Sequence, residues 1–246
     1  MTSFDFDKSQ IQYARLAGFM YLFVMATEML GSKIISGFEV PGNFAETAHR
    51  ITQSELLYRV GLASQLLGSL CIVFLAMGLY VAVKPIDNNL ALLALLFELV
   101  EAALGGAMLI FRSVALRLYL GTAGTNAFDE SQLSVLVKLH SDAYSAGYLF
   151  AASFFSIGST IFFYLFFKSS YIPKVLSVLG VFASLLAALA FFGLLIAPGH
   201  AAMIRPGSIP IVIVEMLVGV WLLFKGVNLG AANQRNMDLG RPVAQP

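Results

Sequence analysis

A set of ionisable side chains lies within apolar stretches of this chain or close to their ends, and these residues have the types that carry chemistry. They are Glu28, Arg59, Glu98, Glu101, Arg112, His140, Asp142 and Glu215. An ionised group at the centre of a bilayer costs about 2.5 kcal/mol or more, so such residues face protein or water and usually pair. We expect them to form a polar, proton-binding or ligand-binding site inside an apolar protein.

The strongest spacing pattern joins two of these carboxylates to an arginine. Glu98 and Glu101 are three residues apart, and Arg112 follows eleven residues after Glu101. At about 100° per residue, all three fall on one face of a helix. Two interpretations stay open for this face. The carboxylates either fix helix packing through salt bridges and hydrogen bonds, or they bind a proton or a ligand.

His140 and Asp142 form a second polar group, but they cannot act together. Two residues apart on a helix, they point about 200° away from each other, so each needs a partner from elsewhere. His49 and His200 fall in predicted loops, and the sequence has no H-x-x-x-H, H-E-x-x-H or G-x-S-x-G spacing. We therefore predict no metal site and no cofactor, and we assign no catalytic residue. A hydrogen-bonded interfacial histidine is the simplest interpretation of His140.

Arg59 also has two interpretations. Glu55 precedes it by four residues in the favourable acid-first order, which is typical of a surface ion pair on a helix. Alternatively, the guanidinium reaches inward and binds a carboxylate or phosphate in a bidentate manner.

The composition excludes an ordinary soluble domain. The 246 residues are 59% hydrophobic and only 12% charged, and the mean hydropathy is +0.82, whereas soluble domains average about 25% charged residues. A net charge of +1 and the lack of a basic run argue against a nucleic-acid partner. Cys71 is the single cysteine, so no intramolecular disulfide is possible.

Apolar segments long enough to cross a bilayer account for most of the chain. Each approaches or exceeds the roughly 20 residues that a span requires. They lie at 14–35, 55–83, 89–116, 143–167, 174–197 and 209–227. We predict an all-α, polytopic integral membrane protein with a six-transmembrane-helix bundle. Its single membrane domain is 14–227, between a polar N-terminal segment, 1–13, and a polar, disordered tail, 228–246.

Two loops carry helix-start signals of their own. Asn43 and Glu46 have capping-box spacing, as do Asp129 and Gln132. We expect a short interfacial helix to begin at each of these positions, before the second and fourth spans.

Charge distribution sets the expected orientation. The N-terminus lacks the basic region of a signal peptide, so we expect the first span to be retained, and the positive-inside rule favours cytoplasmic N- and C-termini. In this orientation several of the candidate residues fall in the outer half of the bundle, where we expect them to gather at one depth. These are Glu28, Arg59, Arg112, His140, Asp142 and Glu215.

Short landmarks are spread along both halves of the chain. The first half has Arg15-Leu16-Ala17-Gly18, Ser54-Glu55 with Arg59 and Gly61, and Lys84-Pro85 with Asn89-Leu90-Ala91. The second half has His140 with Gly147, Phe154-Phe155 with Gly158, Tyr171-Ile172-Pro173 with Leu179-Gly180, and Glu215 with Trp221 and Lys225-Gly226-Val227. Together they resemble the uncharacterised bacterial membrane family known as domain of unknown function 4386. The resemblance implies a multipass protein of the bacterial inner membrane, and it carries no activity or catalytic residue with it.

Three classes of function remain open. The first is binding or transport of a small or lipid-like molecule, with Glu98 and Glu101 as central polar groups and an arginine as counter-charge. The second is an intramembrane enzyme that uses His140, Asp142 and the same carboxylates on a lipid or isoprenoid. The third is a structural or partner subunit whose charges lock helices together. We favour the first class. Membrane lipids are expected partners, and the sequence indicates neither a substrate nor an oligomeric state.

Overall fold

The computed structural model describes residues 3–122 and 127–230, with side chains described from Lys8 onward. These parts of the chain are all-helical. The helices are α1 (Ser3–Ser36), α2 (Phe44–Gln53), α3 (Glu55–Val83), α4 (Asn88–Tyr119), α5 (Glu130–Ser169), α6 (Lys174–Ile196), α7 (Ala201–Ile204) and α8 (Ile209–Lys225). Six helical segments are long and apolar enough to cross a membrane, which confirms the predicted fold class. Most of the predicted tail, from residue 231, lies outside the described residues.

The six long helices form a closed ring in chain order. Each helix packs against the next, in the order α1, α3, α4, α5, α6, α8, and α8 packs back against α1. The connections are short, so neighbouring helices run antiparallel. Residues that face the axis of this ring come from all parts of the sequence and meet in its interior.

The end of the ring where α1 begins and α8 ends is called here the terminal face. The first helix begins at Ser3, inside the segment 1–13 that we expected to precede the first span. Gln10 on this helix is buried, and its Nε2 donates to Ala82 O at 2.6 Å and to Tyr171 Oη at 3.0 Å. This amide therefore joins α1 to the end of α3 and to the α5–α6 turn.

The other end of the ring, called here the opposite face, is covered by α2. Asn43 caps this helix by accepting a hydrogen bond from the Glu46 backbone nitrogen at 2.9 Å, as the spacing predicts. Ile51 of α2 is fully buried in a small core with Tyr58 and Leu116. The short helix predicted before the second span is confirmed.

The prediction of a separate short helix before the fourth span is wrong. Asp129 and Gln132 do form a capping box, but the helix that starts there runs without a break from Glu130 to Ser169. The segment contains no proline that would break the helix, and Lys138 Nζ lies 2.9 Å from Asp142 Oδ2 one turn later, a pair that adds a little to helix stability. The fourth span therefore starts well before residue 143.

The outside of the ring is apolar and exposed. Phe182 and Leu189, for example, are each 72% exposed. Exposed apolar surface on this scale marks contact with a membrane rather than with water. The protein is a multipass membrane protein whose outer surface contacts lipid.

Candidate functional site

A cavity of about 760 Å³, called here the central cavity, lies inside the ring. Its volume falls within the roughly 300–1000 Å³ range of small-molecule sites. Its apolar lining includes Met25, Ile72, Leu75, Met108, Phe155 and Phe191. Its polar lining includes Glu28, Gln65, Ser69, Glu98, Glu101 and Glu215. The site thus combines an apolar wall with carboxyl groups from three helices.

The pair of carboxyl groups on α4 forms one wall of this cavity. Glu98 is only 3% exposed, and it lies one turn before Glu101 on the same face of the helix. Glu98 Oε1 and Glu101 Oε2 are buried without a hydrogen-bond partner. Both residues line the cavity, so the pair gives this part of its wall two carboxyl groups.

The backbone of α5 makes room for Glu98. A Cβ atom at Gly158 would lie 2.6 Å from Glu98 Oε1, so the carboxyl group packs against α5 only because residue 158 is glycine. Gly68 on α3 does the same for Glu28, with a distance of 2.6 Å from its Cβ position to Glu28 Oε1. The absence of a side chain at Gly158 and at Gly68 thus allows the carboxyl groups of Glu98 and Glu28 to approach the backbones of α5 and α3.

Glu215 is held by α5 from across the ring. Ser159 Oγ donates to Glu215 Oε1 at 3.0 Å, and both residues are buried. Ser159 was not among the predicted site residues. The sequence feature that could have indicated Ser159 is the three-residue spacing of Ser153, Ser156 and Ser159. This spacing places their hydroxyl groups on one face of α5.

Gln65 is a second residue that the sequence reasoning missed. It lies on α3, is 3% exposed, and donates from Nε2 to Tyr144 Oη at 3.4 Å. Its Oε1 is buried without a partner. The available signal was an amide in the middle of an apolar segment, where an unsatisfied polar group is costly.

A smaller cavity of about 440 Å³, called here the surface cavity, opens at the opposite face. Tyr144 lines both cavities. Arg112 lines the surface cavity, and its Cζ lies 3.9 Å from the centre of the Tyr144 ring. The Nη1 atom of this arginine is buried without a hydrogen-bond partner. The stacked pair therefore stands between the two cavities.

His140 and Asp142 line the surface cavity and not the central one. His140 Nδ1 lies 2.8 Å from Leu136 O, and since a carbonyl only accepts, Nδ1 carries the proton. Asp142 pairs with Lys138 at 2.9 Å. Each group is thus bonded within its own helix, which matches the simplest interpretation of His140.

Arg59 lines neither cavity. Its Nε lies 2.6 Å from Glu55 Oε1, four residues earlier, and its side chain is 55% exposed. The surface ion pair that the spacing favours is therefore present.

The candidate residues thus divide between two cavities, where we expected one cluster. The central cavity takes Glu28, Glu98, Glu101 and Glu215, and the surface cavity takes Arg112, His140 and Asp142. Helix spacing places Arg112 and Glu101 on one face of α4, but they lie about three turns apart along it. Among the described residues, no group of three or more His, Cys, Asp or Glu side chains could hold a metal ion.

One protein family matches the chain over most of its length. The family model described as "Domain of unknown function (DUF4386)" matches residues 16–226, which include all six long helical segments in whole or in part and the lining of both cavities. No curated protein and no solved structure matches the chain. Since the family model covers far more than half of the sequence, the chain belongs to the DUF4386 family.

Proposed function

We propose that this protein binds, and moves between the two sides of a membrane, a small or lipid-like molecule that occupies the central cavity. The membrane is the bacterial inner membrane, with both termini on the cytoplasmic side. The observation that carries this proposal is a cavity of ligand size whose mainly apolar wall also carries four carboxyl groups and an amide. These groups belong to Glu28, Glu98, Glu101, Glu215 and Gln65.

A purely structural role for these carboxyl groups is less well supported. Charges that lock helices together stabilise them by pairing, and a buried acceptor left unpaired costs about 1–3 kcal/mol. The ion pairs of the described chain join Glu46 to Arg50, Glu55 to Arg59, Asp142 to Lys138 and Asp87 to Lys168. None of them involves a carboxyl group of the central cavity. A ligand that donates hydrogen bonds would satisfy these groups.

An enzymatic role is also less well supported. The imidazole of His140 is bonded to its own helix, and neither it nor Asp142 lines the central cavity. The carboxyl groups in the cavity therefore have no imidazole partner for general acid–base chemistry.

The position of the cavity opening favours a lipid-like ligand. The lining includes Met29 and Leu30 on α1, which are 67% and 55% exposed, and Val212 on α8, which is 45% exposed. The cavity thus reaches the lipid-facing surface between α1 and α8. An amphipathic molecule can enter there directly from the bilayer.

Two alanines on α5 offer a matched test of this proposal. Ala151 is buried and lines the cavity, whereas Ala146 is exposed and lines neither cavity. The A151F ring projects into the cavity and takes up part of its volume, whereas the A146F ring lies outside both cavities. Binding is measured by equilibrium dialysis against protein-free micelles. The probes carry a 2-phenylethyl or n-decyl body and end in an ammonium, a hydroxyl or a carboxylate.

We expect at least one probe to bind the wild type at one site per chain. A151F should weaken that binding about tenfold or more, and A146F should leave it unchanged. If no probe binds, or if both variants bind every probe alike, the central cavity is not a ligand site.

A further inference from the structure

We propose that the ligand of the central cavity is a primary organic amine, whose ammonium group lies against the Glu98–Glu101 pair while its apolar body lies along the aliphatic and aromatic wall. This assignment rests on the proposed function, because it names the class of molecule that the same cavity holds.

The carboxylate and amide oxygens on the cavity wall accept hydrogen bonds, so they favour a ligand that donates them. The lining includes the carboxyl groups of Glu98 and Glu101 on α4 and the amide of Gln65 on α3, and each of these side chains has an oxygen without a hydrogen-bond donor. A primary ammonium group carries three N–H donors and no acceptor. An alcohol offers one donor, and a carboxylate or phosphate offers only acceptors. The amine is therefore the class whose donors and charge suit a wall of carboxyl and amide groups.

The charges on the lining have the sign that attracts a cation. The described lining carries four carboxyl side chains, on α1, α4 and α8, and one basic side chain, Lys33, which lies in the last turn of α1 at the opposite face. Arg112 lines the other cavity, behind Tyr144. In surroundings of low dielectric constant, an ammonium near these carboxyl groups gains far more electrostatic energy than it would in water.

The volume and the lining of the cavity favour an organic cation over a metal ion as the ligand. Among the residues described, no three carboxylate, imidazole or thiol groups are placed to hold a metal. The volume of about 760 Å³ also greatly exceeds what a bare ion needs, and much of the wall is apolar. The rings of Tyr148, Phe155 and Phe191 offer stacking and cation–π contacts to the ligand.

The probe set described above tests this assignment directly, since its members share a body and differ only in the end group. For the wild type we expect 2-phenylethylammonium to bind about tenfold more tightly than 2-phenylethanol, and 3-phenylpropionate to bind most weakly. A charge-assisted hydrogen bond accounts for a difference of this size. The trimethylammonium analogue, which keeps the charge but has no N–H donor, should bind more weakly than the primary amine.

A matched pair of carboxamide variants completes the test. In E101Q we expect the affinity for 2-phenylethylammonium to fall about tenfold while that for 2-phenylethanol stays the same. E130Q, at an exposed position in the first turn of α5, should leave both affinities unchanged. If E101Q does not fold, the order of the wild-type affinities decides the question alone.

The outcomes separate the two proposals. If the alcohol or the carboxylate binds as tightly as the primary amine while A151F still abolishes binding, the cavity is a ligand site and the amine assignment is wrong. Equal binding of the primary and trimethylammonium compounds would likewise overturn the assignment to a primary amine. If no compound responds to A151F, the proposed function itself fails.

Discussion

The close approach of Glu98 to α5 makes a specific prediction about G158A. A methyl group at residue 158 would lie 2.6 Å from Glu98 Oε1 and 3.2 Å from Phe97 Cβ, whereas ordinary contacts begin near 3.4 Å. Either the carboxyl group leaves its position or α4 moves by about 0.8 Å. Forcing a methyl group into a packed site of this kind costs about 1–3 kcal/mol.

Gly106 on α4 is the matched control. A Cβ atom there would meet only Leu66 Cδ1, at 4.0 Å. Both substitutions replace a helical glycine with alanine, so the change in helix propensity, about 1 kcal/mol, cancels when they are compared. The free energy of unfolding of G158A should then lie about 1–3 kcal/mol below that of G106A.

The free energies are measured by reversible unfolding of the purified protein in mixed micelles, with helix content as the readout. Binding of 2-phenylethylammonium gives a second readout, since a displaced Glu98 presents a different set of acceptors. The reasoning is refuted if G158A is as stable as G106A and binds the amine with wild-type affinity.

Three further predictions concern other parts of the two cavities. S159A removes a donor from the buried carboxyl group of α8 and should lower the free energy of unfolding by about 1–3 kcal/mol, whereas S145A, at an exposed position, should have almost no effect. A double-mutant cycle of R112M and Y144L should give a coupling energy of about 0.5–2 kcal/mol for the stacked pair, and a coupling near zero would contradict the stacking. The pKa of Asp129 is lowered by hydrogen bonds from a hydroxyl and a backbone amide of the first turn of α5, so its contribution to stability is present above its unfolded pKa and is lost as the pH falls through the lowered value. The protection factors of the amides in that turn, which allow for the slower intrinsic exchange in acid, should therefore fall as the pH is lowered in the wild type but change less in D129N, and equal acid sensitivity of the two would contradict this.

Local patterns in the sequence were sufficient for the six long helices and for the starts of α3, α4, α6 and α8. The apolar segments were long enough to be recognised as spans, and the Asn43 and Asp129 caps are where their spacing places them. The error at α5 arose because polarity near His140 and Asp142 suggests a loop. In the structure, that polar stretch contains no helix-breaking residue and continues the helix that the Asp129 cap begins.

Which residues come together in one site could not be predicted from the sequence alone. Spacing shows which residues share a helix face, but not which faces of different helices meet. Glu215 and Ser159 are 56 residues apart and come together only because α5 and α8 face the same cavity. Arg112 and Glu101 share a face of α4, yet the Tyr144 ring stacked on Arg112 lies at the boundary between the two cavities. Tertiary packing therefore decides which predicted residues form one site.

The central claim is that a small molecule occupies the central cavity, and photochemical labelling tests it most directly. A diazirine derivative of 2-phenylethylammonium is photolysed with the protein in bilayer vesicles, and the modified residues are identified by peptide mass spectrometry. We predict adducts at Ile72 and Met108, which line the cavity, and loss of these adducts when excess unlabelled amine is present. Adducts confined to lipid-facing residues such as Phe182 and Leu189, unaffected by the competitor, would contradict the claim.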